Sequence, residues 1–193
     1  MFALVLLALV AQAFAGEYID ARCPVVRPVD NFDYASFSRG VWYEVGRYDN
    51  RKEKGTECSY SVYTPMGDRF KIENIGLRHN KKYEVEGYGR MAPDAGNTGK
   101  LIFTLPYGKN GQNNDNILNV MSTDNANYAV LYHCNYNEET KTKQELSWIV
   151  SRTKTLRSDF KALIDRYLLE SKVLDLSKYI FPNFSDDVCR IDF

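Results

Sequence analysis

The sequence predicts an all-β protein, an eight-stranded antiparallel up-and-down β-barrel with one C-terminal α-helix packed on the outside. Between Trp42 and Ser151 the chain is a series of short runs of alternating apolar and polar residues, the period of a half-buried strand. Clusters of Gly, Pro, Asn and Asp separate these runs. A single segment, residues 156–170, changes to the helical period.

The chain begins with fifteen mostly apolar residues that end in Ala13-Phe14-Ala15, a small-x-small pattern typical of a signal-peptidase site. We therefore predict a signal peptide over 1–15 and one secreted, extracellular domain over 16–193. The run is too short to span a membrane. Basic and acidic residues are equal at 25 each, with no basic block, which argues against nucleic acid or an anionic membrane as a partner.

Eight strands are predicted, each bounded by turn residues. They lie at 41–49, 57–64, 69–77, 81–90, 99–107, 115–122, 127–135 and 144–151. The short connections predict an antiparallel meander, and closing it into a barrel removes both exposed edges. A barrel of eight strands is just wide enough to hold one small ligand. Pro106 lacks the N–H that a strand ladder needs, so we expect it at a strand end near the barrel mouth.

The segment 156–170 is predicted to form one amphipathic helix. Its charged residues cover one face, so the other face should lie against the outside of the sheet. The residues at helical spacing on that apolar face are Leu156, Phe160, Leu163, Tyr167 and Leu168.

Strand alternation predicts which side chains face the barrel interior. Glu84 and Glu86 share one face of their strand, for example, which leaves Tyr83 and Val85 on the other. The predicted inward residues are Tyr83, Val85, Leu101, Phe103, Leu105, Tyr107, Leu131, His133, Asn135, Gln144, Leu146 and Trp148. The polar members lie toward one end of their strands, so the pattern predicts an aromatic cavity fringed by hydrogen-bonding groups.

Four cysteines, Cys23, Cys58, Cys134 and Cys189, follow a predicted secretory signal and so predict two disulfides. The residues alone leave three pairings open. Because two of the cysteines lie in the tails and two adjoin predicted strands, we expect each tail to be pinned to the sheet.

Three motifs resemble the signature of the lipocalin family: Gly-Val-Trp at 40–42, Thr-Asp followed by Tyr at 123–128, and the arginine that ends Trp-Ile-Val-Ser-Arg at 148–152. Within that family the chain is similar in particular to the insect bilin-binding proteins and insecticyanins, through C-P-V-V-R-P-V-D-N-F-D at 23–33 and L-N-V-M-S-T-D-N-A-N-Y at 118–128. The resemblance implies that Arg152 lies over Trp42 at the closed end of the barrel. It also implies the disulfides Cys23–Cys134 and Cys58–Cys189.

The same resemblance implies a ligand. The bilin-binding relatives hold biliverdin, an open-chain tetrapyrrole with an apolar body, four nitrogens and two carboxylates. We therefore expect a pigment carrier with biliverdin bound non-covalently in the cavity, and no metal. Position by position, the implied lining is Glu44, Arg47, Asn50, Lys52, Asn74, Val85, Leu105, Tyr107, Asn116, His133, Asn135, Gln144 and Leu146.

Two of these residues have a structural alternative. Asn74 is expected to meet the polar centre of the pigment, but an asparagine on a strand is also found hydrogen-bonded to its neighbours. His133 stands where close relatives tend to carry tyrosine; it either contacts the ligand or is a satisfied, half-buried side chain.

No catalytic motif is present in the sequence: the two histidines, His79 and His133, accompany no nucleophile motif, phosphate loop or metal-ligand spacing. We predict a protein that is not an enzyme, since an isomerase or synthase acting in the cavity would need a free thiol. Two other functions stay open, a carrier of a retinoid, carotenoid, fatty acid or odorant, and an interaction protein that uses its mouth loops, including for a homo-oligomer. Asn183-Phe184-Ser185 is a sequon for glycosylation.

Overall fold

The computed structural model describes residues 22–50, 53–185 and 188–189. Consecutive strands pair antiparallel, and β1 pairs with both β2 and β8, which closes an eight-stranded barrel. The predicted fold class is thereby confirmed; the predicted signal peptide at 1–15 lies outside the described residues. The strands are β1 (Gly40–Tyr48), β2 (Thr56–Met66), β3 (Arg69–Arg78), β4 (Lys81–Met91), β5 (Lys100–Leu105), β6 (Asn114–Thr123), β7 (Tyr128–Asn137) and β8 (Thr142–Ser151).

Strand β5 ends one residue before Pro106, as the missing N–H of proline requires. The predicted strand extended to Tyr107; instead, the Tyr107 N–H donates to the Leu105 carbonyl at 2.8 Å in a tight turn. Tyr107 therefore leaves the barrel wall at the mouth, where a 3-10 turn (Lys109–Gly111) follows in the loop to β6.

Two α-helices flank the barrel. The short α1 (Tyr34–Phe37) lies at the closed end, where the Asp33 carboxylate accepts the Ser36 N–H at 3.0 Å as an N-cap. Helix α2 (Ser158–Glu170) packs on the outer face, as predicted. Among the described residues, no helix has the length and apolar character that crossing a bilayer requires.

The buried face of α2 differs from the predicted face by one residue. Leu163 is 49% exposed, whereas Ile164 is fully buried. The contact row runs through Phe160, Ile164 and Leu168, which lie four residues apart and therefore stack on one side of the helix. Leu163 lies one step away from that row and faces solvent.

A ninth strand, β9 (Tyr179–Ile180), was not predicted. Strand β1 pairs with β2 only through Gly40–Tyr43, and β9 pairs with β1 at Arg47 and Tyr48, toward the mouth. The tail is also held covalently, because Cys58 bonds Cys189, and Cys23 bonds Cys134 at the other end of the chain. Both pairs are those that the resemblance implied.

A β-bulge changes the phase of β1 halfway along the strand. Glu44 pairs with Val150, and Gly46, two residues on, pairs with the next residue of β8, Ile149. In a regular strand Glu44 and Arg47 would face opposite sides, because side chains alternate. The extra residue places both of them on the inner face.

The interior is packed solid at the closed end. Phe70, Ile72, Leu101 and Val120 have no exposed surface, and Phe37 of α1 packs among them. Each strand connection at this end is short or covered by the segment that carries α1. The open end therefore lies at the opposite rim, where the connections β1–β2, β3–β4, β5–β6 and β7–β8 meet.

Candidate functional site

The floor of the barrel is built on Trp42, which is 1% exposed. Its indole N–H donates to the Phe37 carbonyl at 2.9 Å, and the Arg152 guanidinium lies 3.6 Å from the ring centroid. Arg152 also donates to the carbonyls of Ser36, Arg39 and Val41 at 2.6 to 2.9 Å. This arrangement is the one that the resemblance implied, and it seals the lower end without offering these two side chains to a ligand.

Above the floor the inner wall is less completely buried than the closed end. Inward-facing residues of a closed barrel can be accessible only to the space that the barrel encloses or to its mouth. Several residues of this wall are partly accessible, in contrast to the fully buried set below them: Glu44, Ser61, Asn74, Tyr83, Val85, Asn116, His133, Leu146 and Trp148. We call this space the chamber; its open wall is what a ligand site requires.

Asn74 lies in the chamber wall, directly opposite Ser61 on β2 and Val85 on β4. Its side-chain oxygen accepts the Ser61 hydroxyl at 2.7 Å, and its amide hydrogen-bonds the Tyr107 hydroxyl. Asn74 is thus oriented by its strand neighbours while remaining half-accessible to the chamber.

The most buried charge in the chamber wall is Arg47, which is 3% exposed. Its Nη1 donates to the Glu44 carboxylate at 2.7 Å, and its Nη2 donates to the carbonyls of Glu53 and Thr56 at 3.2 and 3.0 Å. Glu53 lies in the β1–β2 loop and Thr56 begins β2, beyond the stretch in which β2 pairs with β1. The guanidinium therefore bridges the gap between the two strands.

Glu44 carries the largest described shift among the carboxyl groups. Burial raises its pKa, the Glu53 charge adds to the rise and Arg47 opposes both effects, which leaves the pKa at about 8. Near neutral pH the Glu44 side chain therefore holds a proton. A neutral carboxyl group beside a guanidinium is a hydrogen-bond donor and acceptor facing the chamber.

Glu53 is a chamber residue that sequence reasoning missed. It lies in the β1–β2 loop, and its carboxylate accepts the Trp148 indole N–H at 3.1 Å and the Asn50 amide at 2.5 Å. The side chain thus reaches from the mouth to the level of Trp148 on β8. Loop residues have no alternation, so no sequence signal distinguished Glu53 from its neighbours; Lys52, which was predicted to line the site, lies outside the described residues.

Two tyrosines border the same group. Burial raises the pKa of Tyr83, the Ser59 hydroxyl opposes the rise and Glu44 and Glu53 add to it, which leaves the pKa at about 12. Burial likewise raises the pKa of Tyr107, whose ring nevertheless stands at the rim and is 50% exposed. Both hydroxyl groups stay protonated and can donate hydrogen bonds.

His133 faces inward from β7, opposite Leu146 on β8. Its Nδ1 lies 2.8 Å from the Ile117 carbonyl oxygen, which can only accept, so Nδ1 carries the proton. The ring is anchored to the wall by this bond and is half-buried.

Twelve of the thirteen predicted lining residues can be placed in this site; Lys52 lies outside the described residues. Arg47 and Leu105 are buried, and the residues exposed at the rim are Tyr107, Asn135 and Gln144. The partly accessible ones are Glu44, Asn50, Asn74, Val85, Asn116, His133 and Leu146. The structure brings these residues to one chamber and its rim, and leaves their contact with a ligand as a prediction.

One group of carboxylates lies on the outer face. Oxygens of Glu73, Glu84 and Glu86 approach within 4.8 Å of one another. The Lys71 ammonium bonds Glu73 at 3.0 Å and Glu86 at 2.7 Å. The positive charge that this group attracts is therefore already supplied by a side chain, and the group is an ion-pair network on the barrel surface.

Comparison with known proteins gives matches along nearly the whole chain. The model of the lipocalin / cytosolic fatty-acid binding protein family matches residues 39–186. The chain is 40% identical over 189 residues to the bilin-binding protein of Pieris brassicae, covering 98% of each chain. It is 34% identical over 185 residues to insecticyanin-B of Manduca sexta, covering 94% of this chain and 88% of that relative.

Solved structures match the fold as well. Insecticyanin from the tobacco hornworm Manduca sexta superposes with a TM-score of 0.78 at 30% identity, covering 88% of this chain and 89% of that one. Lobster apocrustacyanin A1 superposes with a TM-score of 0.63 at 20% identity over 78% of each chain, a likeness of fold alone.

Proposed function

The chain belongs to the lipocalin family, and from that membership we propose that it is a secreted carrier that holds a bilin, specifically biliverdin, in its barrel chamber. The observation that carries this proposal is the 40% identity to a bilin-binding protein over 98% of both chains. The two disulfides are in keeping with an oxidising, extracellular location.

The chamber has the chemistry that a linear tetrapyrrole needs. Val85, Leu105, Leu146 and Trp148 give it aliphatic and aromatic walls for an extended apolar body. Asn74, Tyr83 and Glu44 offer hydrogen bonds within the same space. The chamber thus combines apolar walls with polar groups at fixed positions, as small-molecule sites do.

The rim suits the two propionates. Arg78, the last residue of β3, stacks over the Tyr83 ring at 5.3 Å. Its positive charge also opposes the rise that burial causes in the pKa of Tyr107. A cation at the mouth lets an acidic ligand enter with its carboxylates toward solvent. We infer that Arg78 and the exposed Asn135 and Gln144 form the polar end of the site.

The test is reconstitution of the purified protein with biliverdin, followed by visible absorption. We expect a saturable change in the pigment spectrum with one pigment per chain. Retinol serves as the comparison, because it fills an apolar barrel but offers none of the nitrogens. An unchanged biliverdin spectrum together with quenching of tryptophan fluorescence by retinol would refute the bilin assignment and favour the alternative of another apolar ligand.

We propose binding without chemistry. All four cysteines are paired in disulfides, so none is available as a nucleophile in the chamber. Titration of the folded protein with a thiol reagent should detect no reactive group. Native mass spectrometry of the same sample addresses the remaining alternative, because a stable protein complex with an empty chamber would indicate an interaction protein.

We also propose that Asn183 is glycosylated on secretion. Asn183 is exposed, and its side-chain oxygen accepts the Ser185 N–H at 2.8 Å, which leaves the amide nitrogen, the acceptor of the glycan, outside that turn. Protein secreted from insect cells should lose the mass of one glycan on treatment with an N-glycosidase. An Asn183→Gln variant supplies the control, and an identical mass before and after treatment of the unaltered protein would contradict the proposal.

A further inference from the structure

The chamber contains a group of charged side chains that ligand binding has to accommodate. Glu44 and Arg47 face inward from the same strand because of the β1 bulge, and Glu53 enters from the loop above them. We call these three residues the acid–arginine group. It combines two carboxyl groups with one guanidinium.

The guanidinium of this group is largely committed to the protein. Arg47 bonds Glu44 and two backbone carbonyls, and its Nε is buried without a hydrogen-bond partner. Within the described part of the chamber, one positive charge, that of Arg47, therefore faces two carboxyl groups. The partners of the Glu53 carboxylate, Trp148 and Asn50, are neutral donors that add no positive charge.

If both acids were ionised, the acid–arginine group would carry one excess negative charge in a poorly solvated space, which is costly. A proton on Glu44 removes that excess. This agrees with the direction of the Glu44 pKa, which burial and the Glu53 charge raise to about 8. Among the residues that the structure describes, the other ionisable groups that face Glu44 are Tyr83 and Tyr107, which are neutral and do not compensate the charge.

We propose that Glu44 is the proton donor to a basic nitrogen of the ligand, so that the chamber holds a cationic tetrapyrrole paired with the Glu44 carboxylate. The inference rests on the proposed bilin ligand. The O–H bond of the Glu44 carboxyl group breaks, and an N–H bond forms with the lone pair of an imine-type ring nitrogen. The Glu44 carboxylate then lies between two cations, Arg47 and the ligand.

This transfer leaves the net charge of the chamber unchanged. Before binding, Arg47 and Glu53 balance each other and Glu44 is neutral; after it, two positive charges balance two negative ones. The chamber therefore selects ligands that contain a basic nitrogen. A retinoid or carotenoid contains no basic nitrogen, so it leaves Glu44 protonated and forms no ion pair with the acid–arginine group.

The experiment is a pH titration of the biliverdin complex followed by absorption, since the protonated pigment absorbs at longer wavelength than the neutral one. In the unaltered protein the protonated spectrum should persist to at least about one pH unit above its midpoint for free biliverdin, a tenfold shift in the equilibrium. In Glu44→Gln the midpoint should return toward that of the free pigment. Glu84→Gln, an outward-facing change on β4, should behave like the unaltered protein.

Difference infrared spectroscopy gives a second reading that does not require a variant. The carbonyl stretch of a protonated carboxyl group should be present in the pigment-free protein at pH 7 and should disappear when biliverdin is added. A bound pigment with a neutral spectrum at pH 7, or equal midpoints in Glu44→Gln and the unaltered protein, overturns this inference and leaves the carrier proposal intact. Failure of biliverdin to bind at all overturns both.

Discussion

At the scale of single residues, one arginine at each end of the barrel joins separate segments of the chain by several hydrogen bonds. Arg152 fastens the floor by bonding three backbone carbonyls and stacking on Trp42. Arg47 fastens the mouth by bonding two carbonyls near the start of β2 and the Glu44 carboxyl group. In both cases a planar guanidinium serves several acceptors at once, which the single ammonium of lysine cannot do in the same geometry.

Arg152→Lys should therefore lower the free energy of unfolding by about 2 kcal/mol, because carbonyl bonds and the stacking contact are lost together. The control is Arg157→Lys. Arg157 also stacks on a ring, that of Phe160, but its side chain is 63% exposed, so its replacement should change stability by less than about 0.5 kcal/mol. Urea unfolding measures both, and equal midpoints for the two variants would contradict the role given to Arg152.

The raised pKa of Glu44 predicts a specific dependence of stability on pH. The folded state holds the proton until about pH 8, whereas the unfolded chain releases it near the ordinary glutamate pKa of 4.5. Between these values the folded state binds more protons, so the free energy of unfolding falls as pH rises through that window. The contribution of this group is about 5 kcal/mol over the whole window, since one pKa unit corresponds to about 1.4 kcal/mol.

Glu44→Gln should lack this part of the decline, because a glutamine does not ionise. Urea unfolding at intervals from pH 4.5 to 8.5 gives the comparison, with Glu84→Gln as a variant that keeps the slope of the unaltered protein. Parallel curves for Glu44→Gln and the unaltered protein would show that Glu44 does not hold its proton in the folded state.

At the scale of elements, the strands were predictable and the segments between them less so. Eight alternating runs place β1 to β8 within a few residues, because a barrel wall imposes the two-residue period directly on the sequence. The four-residue α1 is too short to show a period. Strand β9 has two residues and exists because β1 leaves β2 and needs a new partner, which only the tertiary structure reveals.

The residues of the candidate site were likewise predictable in the regular strands, but not at the bulge or in the loop. Alternation correctly oriented Val85, His133 and Leu146, since these lie in regular strand pairs. It gives the wrong face for Arg47, which lies beyond the bulge, and the inward position came from family resemblance instead. Alternation says nothing about Glu53, which lies in the β1–β2 loop. Its carbonyl accepts a hydrogen bond from Arg47 and its carboxylate accepts one from Trp148, and these two bonds hold the side chain in the chamber.

Helix α2 offers a direct test of its orientation. Leu168 is 2% exposed and its neighbour Leu169 is 73% exposed. Leu168→Ala should cost about 2 to 5 kcal/mol of unfolding free energy, as in other buried leucine truncations, whereas Leu169→Ala should cost less than about 0.5 kcal/mol. The pair shares one residue type on adjacent positions, so similar losses measured by urea unfolding would mean that the helix is rotated from the orientation described.

At the scale of the whole molecule, both ends of the chain are bound to the barrel wall. The Cys23–Cys134 bridge holds the segment before α1, and the Cys58–Cys189 bridge holds the tail after β9. After β9 the tail contacts β1 again at Phe184, whose ring meets Tyr43 edge-on at 5.9 Å. The gap left between β1 and β2 is thus covered from outside by the tail and bridged from inside by Arg47.

Replacing Cys58 and Cys189 together by serine should lower the free energy of unfolding by about 4 to 5 kcal/mol in the chain-entropy model, because the bridge closes a loop of more than 100 residues. The tail should also become a site of early proteolysis. The matched control is the double replacement of Cys23 and Cys134, which removes a bridge of similar span and should leave the tail resistant. A tail equally resistant in both variants would indicate that β9 and its aromatic contacts suffice to hold it.

The bulge in β1 also gives this strand a place where its length can change, over evolutionary time or in an engineered library. Point substitutions alter the chamber one side chain at a time and leave the register of the strand as it is. Loss of a single codon between Glu44 and Arg47 would remove the extra residue and leave a regular strand, in which residues two apart share a face, so both side chains would still face the chamber. The same loss elsewhere in the strand would exchange the inner and outer faces beyond it. The bulge is therefore the position at which β1 can be shortened by one residue without losing its chamber wall.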